Sequence, residues 1–128
     1  MKAGTSRGSA AAEQPTAERC GIAELSNTAD DPDLSVARAR VAPGITTRWH
    51  RLHGIAERYV ILEGRGRAEV GGLPPQELLP GDVLRIAPDQ PQRITNTGTA
   101  DLVFLALCTP RFRWDAYEDL DEAMAART

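Results

Sequence analysis

The stretch WHRLHGIAERYVILEG, residues 49–64, holds both histidines of the chain, His50 and His53, with Glu57 four residues further on. Two imidazoles and a carboxylate this close are donors suited to a divalent metal or to proton transfer. On a helix, positions 50, 53 and 57 would share one face. The neighbouring residues argue against a helix. Gly54 sits mid-segment, Thr46 and Thr47 precede it, and Tyr59, Val60, Ile61 and Leu62 follow before Gly64. The alternative is a hairpin: His50 ends one strand, Glu57 starts its partner, and both converge on an inner face. A carboxylate there is costly unless compensated. Two compensations stay open at this level. One is a divalent metal shared with the histidines. The other is an arginine partner for Glu57, with the histidines hydrogen-bonded or exposed.

The surrounding elements must supply that inner face. CGIAELSN (20–27) reads as a short strand, broken by the turn residues of TADDPD. LSVARARV (34–41) alternates, with Ser35, Ala37, Ala39 and Val41 forming a small face that can sit close to another layer. ITTRWH begins the next strand, and ERYVILEG is the strongest strand of the chain. RAEV is a short strand followed by a Gly-Gly turn, a Pro-Pro loop and a turn at Pro80-Gly81. DVLRIAP, PQRITNTG and DLVFLALCTP are three further strands, the last buried because its apolar run is continuous. WDAYEDLDEAMAA (114–126) reads as a closing helix with early acidic residues that suit its dipole. Short strands at intervals of roughly ten residues, with Gly/Pro turns, predict an antiparallel sandwich, jelly roll or barrel rather than a βαβ fold.

A chain of 128 residues fits a single domain. Residues 1–18, rich in Ala, Ser and Gly, read as a flexible tail, leaving 19–128 as the domain. No segment approaches the ~18 apolar residues of a membrane helix, so the expectation is a cytoplasmic protein without a membrane partner. A formal net charge of −3 with scattered arginines gives no basic stripe for nucleic acid. Cys20 and Cys108 form no CxxC pair and read as buried thiols.

From Gly44 to Gly98 the sequence resembles the cupin superfamily in its small single-domain form. That family's first motif is a glycine, five residues, His-x-His, three or four residues, a glutamate, six residues and a glycine. Gly44, His50, Glu57 and Gly64 keep that spacing. Its second motif runs glycine, five residues, Pro-x-Gly, two residues, histidine, three residues, asparagine. Gly81 and Asn96 match, while Ala87, Asp89 and Gln92 stand where proline, glycine and histidine are usual. The histidine pair is HxxH, so a bulge is needed to turn both His50 and His53 inward; without one, one of them points away.

The resemblance implies an all-β cupin jelly-roll barrel with a disordered N-terminal tail, a short C-terminal helix and core motifs over 44–98. It implies metal ligands His50, His53, Glu57 and Gln92, and a divalent transition metal such as Fe, Mn, Ni or Zn. It also implies a homodimer formed through residues 20–41. If Glu57 points inward, so do Tyr59 and Ile61; if Gln92 does, so does Ile94. Tyr59 and His53 are the candidates for acid/base work. Phe104, Ala106 and Cys108 share a face, and Trp114 and Tyr117 cover an open end. The expected function is a metal-binding cupin enzyme on a small organic substrate, of oxygenase, isomerase, cyclase or lyase type. The alternatives are a non-catalytic small-molecule-binding module and a metal-free enzyme using His53 or Tyr59 as base.

Overall fold

The computed structural model describes residues 1–126. Eleven strands are present among them: β1 (Gln14–Pro15), β2 (Gly21–Ser26), β3 (Ser35–Val41), β4 (His50–Leu52), β5 (Ala56–Glu63), β6 (Gly66–Val70), β7 (Gln76–Leu78), β8 (Val83–Ile86), β9 (Gln92–Asn96), β10 (Leu102–Thr109) and β11 (Tyr117–Asp119). A short helix, α1 (Asp121–Ala125), follows. The strands form two antiparallel sheets packed face to face, ordered β1-β2-β3-β10-β5-β8 and β11-β4-β9-β6-β7.

Alternation decides which side chains meet between the sheets. In β5, Glu57, Tyr59 and Ile61 are buried while Arg58 and Val60 are not fully so. In β9, Gln92, Ile94 and Asn96 are buried and Arg93 and Thr95 lie on the other side. Arg93 pairs with Glu69 through two hydrogen bonds of 2.9 and 3.1 Å. Val41, Tyr59, Ile61, Ile94, Leu102 and Phe104 belong to the main apolar core. The small face of β3, with Ala39 nearly inaccessible, lets the opposite layer approach closely.

Three expectations change. The segment expected to be a tail contributes β1, whose Gln14 and Pro15 pair with Ile22 and Gly21. Part of the Pro-Pro loop is β7, paired with β6. The closing helix shrinks to α1, because Tyr117, Glu118 and Asp119 form a strand against Leu52, Arg51 and His50. Charge explains that choice. Arg51 Nε donates to Glu118 Oε1 at 2.9 Å, and Arg48 Nε to Asp119 Oδ2 at 2.7 Å. The acidic residues answer two arginines across the strand pair rather than a helix dipole.

Gly64 turns the chain from β5 into β6 at φ 76°, where a Cβ would stand 2.5 Å from the Asp101 carbonyl oxygen. Gly44 also has a positive φ, 78°, but an added Cβ meets nothing within 4 Å. Gly64→Ala is therefore expected to cost roughly 2 kcal/mol or more, and Gly44→Ala about 1 kcal/mol. Urea unfolding of the two variants measures the difference; equal losses would contradict the close approach.

Candidate active site

One end of the space between the sheets opens into a cavity of about 60 Å³. That volume has room for roughly four waters, or for the reacting end of a small molecule. Its walls include Glu18, His50, Glu57, Tyr59, Cys108 and Tyr117. Strand register brings these groups together. His50 in β4 lies directly opposite Gln92 in β9. Glu57 in β5 lies opposite Cys108 in β10, and Tyr59 opposite Ala106.

The His50 ring is fixed on both sides. Its Nδ1 is 2.9 Å from the Arg48 carbonyl oxygen. A carbonyl only accepts, so Nδ1 carries the hydrogen and Nε2 is left to exchange protons. Tyr117 stacks on the imidazole at 5.1 Å between centroids and 19° between planes. Nε2 faces Glu18 Oε1 at 3.4 Å. Glu18 reaches this position from a turn over residues 16–20. Arg19 has φ 69° there, and the Thr16 hydroxyl donates to the Cys20 carbonyl at 2.8 Å. Arg19 is anchored outside by Asp121 at 2.8 Å. Burial pushes the Glu18 carboxyl up from its ordinary value, while His50 and the Tyr117 hydroxyl hold it down in part.

Glu57 is held by a relay between the sheets. The Gln92 amide nitrogen donates to Glu57 Oε1 at 2.8 Å, and the Gln92 carbonyl accepts from the Tyr59 hydroxyl at 2.8 Å. The Cys108 thiol, at 3.5 Å, is the partner of Oε2. Desolvation pushes the Glu57 carboxyl up, opposed by His50 and Gln92. Tyr59 is pushed well above the ordinary phenol range, first by burial and then by Glu57. It stays a phenol that donates to Gln92. Burial also raises Cys20 to about 12, and it lifts Cys108 further, with Glu57 adding to it. Both cysteines are free and remain protonated thiols at neutral pH.

His53 does not join this group. His50 and Leu52 alternate inward in β4, and His53 falls in the turn beyond. It is exposed, with Nε2 2.6 Å from Glu118 and Nδ1 3.2 Å from Asp89. The extra residue of the HxxH pair is not absorbed by a bulge, so Leu52 takes the inward place and His53 an outward one. Asp89, standing where the family motif has glycine, adopts φ 68°. Its carboxylate accepts from the Gly54 N–H at 3.3 Å.

Of the four ligands the sequence suggested, His50, Glu57 and Gln92 meet and His53 does not. Glu57 and Gln92 are already engaged with each other. Gln92 spends its amide on Glu57 and its carbonyl on Tyr59, and His50 has one free nitrogen. Among the described residues no group of three His, Cys, Asp or Glu side chains is arranged to hold a metal ion. The four-ligand set does not fit this arrangement.

Glu18 and Tyr117 were not singled out as site residues from sequence. Nothing in the composition of residues 1–18 marks Glu18. Tyr117 carried a signal: Glu118 and Asp119 beside it complement Arg48 and Arg51, a cross-strand charge pattern.

The cupin-domain family model matches residues 37–108. The chain is a cupin. No curated protein matches its sequence. Among solved structures, a Thermotoga maritima protein described as a predicted oxalate decarboxylase is 25% identical, with TM-score 0.73, covering 83% of this cupin and 98% of that chain. KdgF from Halomonas sp. is 16% identical, with TM-score 0.74 and coverage of 85% and 96%. Pac13, a nucleoside dehydratase with a Streptomyces form solved with uridine, is 11% identical. Its TM-score is 0.78, with 94% of this cupin and 92% of that chain covered. The latter two likenesses concern the fold alone. No helix among the described residues is long and apolar enough to cross a membrane.

The raised Glu57 carboxyl has a sign that unfolding can read. In the folded cupin it keeps its proton to higher pH than in the unfolded chain, whose value is near the ordinary 4.5. Between those two values the folded state binds more protons, so stability falls as pH rises. Glu57→Gln keeps an acceptor for Gln92 and removes that titration. The stability difference, Glu57→Gln minus wild type, is expected to grow as pH increases above about 4.5. A flat difference in urea midpoints from pH 4.5 to 8 would mean that the carboxyl is not raised.

Proposed function

We propose that this cupin is an acid–base enzyme acting on a small organic molecule, with His50 Nε2 as the proton-transferring atom. The supporting observation is the fixed tautomer of His50, whose free nitrogen faces one raised carboxyl while a second, Glu57, lines the same cavity. An imidazole nitrogen and a carboxyl that burial pushes up can divide the two roles, the nitrogen as base and the carboxyl as acid. The neutral ring takes a proton from the substrate at Nε2. A protonated Glu18 or Glu57 returns one to a leaving or rearranging oxygen. The Nδ1–H bond to Arg48 stabilises the imidazolium that forms. Tyr59 and Gln92 keep Glu57 in place, and the apolar walls exclude bulk water. Isomerisation and elimination use this proton bookkeeping. The dehydration described for Pac13 belongs to the same reaction class, and that likeness is analogy.

A metal-dependent reaction through His50, Glu57 and Gln92, and a non-catalytic binding module, are the readings this one competes with. One experiment separates the three. Tag-free protein is incubated in D2O with small hydroxycarbonyl and amino compounds, and products are followed by mass spectrometry and NMR. Bound metal is measured by elemental analysis. The expectation is solvent deuterium incorporation or loss of water, unchanged by chelation, reduced roughly 100-fold or more by His50→Gln. His53→Ala is expected to keep the wild-type rate. Activity that chelation abolishes and Fe(II), Mn(II), Ni(II) or Zn(II) restores, with metal lost in Glu57→Ala, would favour the metal reading. Saturable binding without turnover would favour the binding module.

A further inference from the structure

The cavity has a marked imbalance between acceptors and donors. Among the described residues, no lysine or arginine lines it, while Glu18, Glu24 and Glu57 all do. Three of its neutral hydroxyls already donate: Tyr59 to the Gln92 carbonyl at 2.8 Å, Thr47 to the Ile94 carbonyl at 3.4 Å, and Tyr117 to Glu18. Ser35 Oγ accepts from the Phe112 N–H at 2.9 Å. The charged groups left facing a ligand are carboxyls. Glu57 is 8% exposed, and its Oε2 is met by a thiol at 3.5 Å, a weak donor, although Oε1 has a full amide bond. Glu18 Oε1 stands 3.4 Å from His50 Nε2, beyond a good hydrogen bond. A buried carboxylate with one oxygen held only by a weak thiol donor gains from a stronger, charged donor.

The mouth has a matching character. Trp114 is 57% exposed and Glu24 is exposed, whereas Glu57 is buried, so these two mark the entrance. Trp114 meets Phe112 edge-to-face at 4.9 Å and Tyr117 at 5.4 Å. Aromatic faces beside a carboxylate attract organic cations and offer nothing to an anion. A carboxylate or phosphate entering here would pass Glu24 and reach Glu18 and Glu57 without meeting a fixed positive charge.

We propose that the cavity selects a small organic cation with N–H donors, a protonated amine or amidine, and rejects carboxylates and phosphates. The inference rests on the acid–base reading for what happens to the ligand, but its selectivity is a matter of binding alone. The ammonium or amidinium passes between Trp114 and Glu24 and donates to Glu57 Oε2, while Glu18 keeps the proton that the acid role needs. His50 Nε2 then lies beside the carbon or heteroatom attached to the charged group.

Binding of butylamine, butanol and butyrate at pH 7.5 tests it. The readouts are the indole N–H resonance of Trp114, assigned with Trp114→Phe, and the shift in thermal midpoint. Butylamine is expected to bind at least about tenfold more tightly than butanol, about 1.4 kcal/mol, with no saturable response to butyrate. Glu57→Gln is expected to reduce the amine-to-alcohol ratio at least about threefold. Glu24→Gln, a surface change that leaves the core untouched, is expected to do the same. Equal binding of butanol, any tighter binding of butyrate, no saturable response to butylamine, or an unchanged ratio in both variants would overturn the proposal. Failure of the acid–base reading appears elsewhere, as turnover unaffected by His50→Gln. It leaves the binding ratios readable.

Discussion

The interaction on which the rest of the site depends is the bond from the Gln92 amide to the buried Glu57 carboxyl. An ionisable group in an apolar interior loses several kcal/mol of hydration, and its remaining bonds gain strength from the low dielectric around them. Gln92 comes from one sheet, and Glu57 and Tyr59 come from the other. A primary amide presents donor and acceptor side by side, so one side chain can hold a carboxyl and a phenol on adjacent inward positions of β5. An imidazole would carry its donor and acceptor on separated ring nitrogens. The glutamine is thus a tie between sheets. It fixes the face of β5 turned inward, and through the β4–β9 register it sets His50 beside Glu57.

Much of this follows from periodicity, and that part was legible in the sequence. Once Glu57 is placed inside, Tyr59 and Ile61 must follow, and once Gln92 is inside, so must Ile94; all are buried. The small face of LSVARARV is the one that lines the cavity. What could not be read was long-range. Local propensity and an N-terminal dipole favour a helix over WDAYEDLDEAMAA. The pairing of Glu118 and Asp119 with arginines some 70 positions earlier in the chain decides for a strand. The composition of residues 1–18 says nothing about a turn at Thr16–Cys20 that aims one carboxyl inward.

The fate of His53 illustrates how strictly a strand interprets spacing. A family pattern with one residue between its histidines puts both on one face, and two residues between them put the second on the other. Here the strand keeps its pleat. Leu52 becomes part of a small apolar cluster with Ile55, Cys108 and Ala116, and His53 becomes a surface hub for Glu118 and Asp89. Asp89 meanwhile accepts the left-handed backbone that the motif's glycine would have supplied. Aspartate tolerates that conformation better than most side chains, and its carboxylate gains two partners there. Sequence departures at these motif positions are therefore coupled. The residue that leaves the cavity is caught by the residue that replaces the glycine.

What the altered site retains is a row of three titratable groups, Glu18, His50 and Glu57, with the central ring locked at Nδ1. Burial pushes both carboxyls up from their ordinary value, and the His50 ring holds each of them down in part, while Glu18 adds to the rise at Glu57. One ring therefore acts on two carboxyls, and a change of charge at one is felt at the other. The Gln92 tie keeps Glu57 within the electrostatic reach of His50, and the turn over residues 16–20 does the same for Glu18.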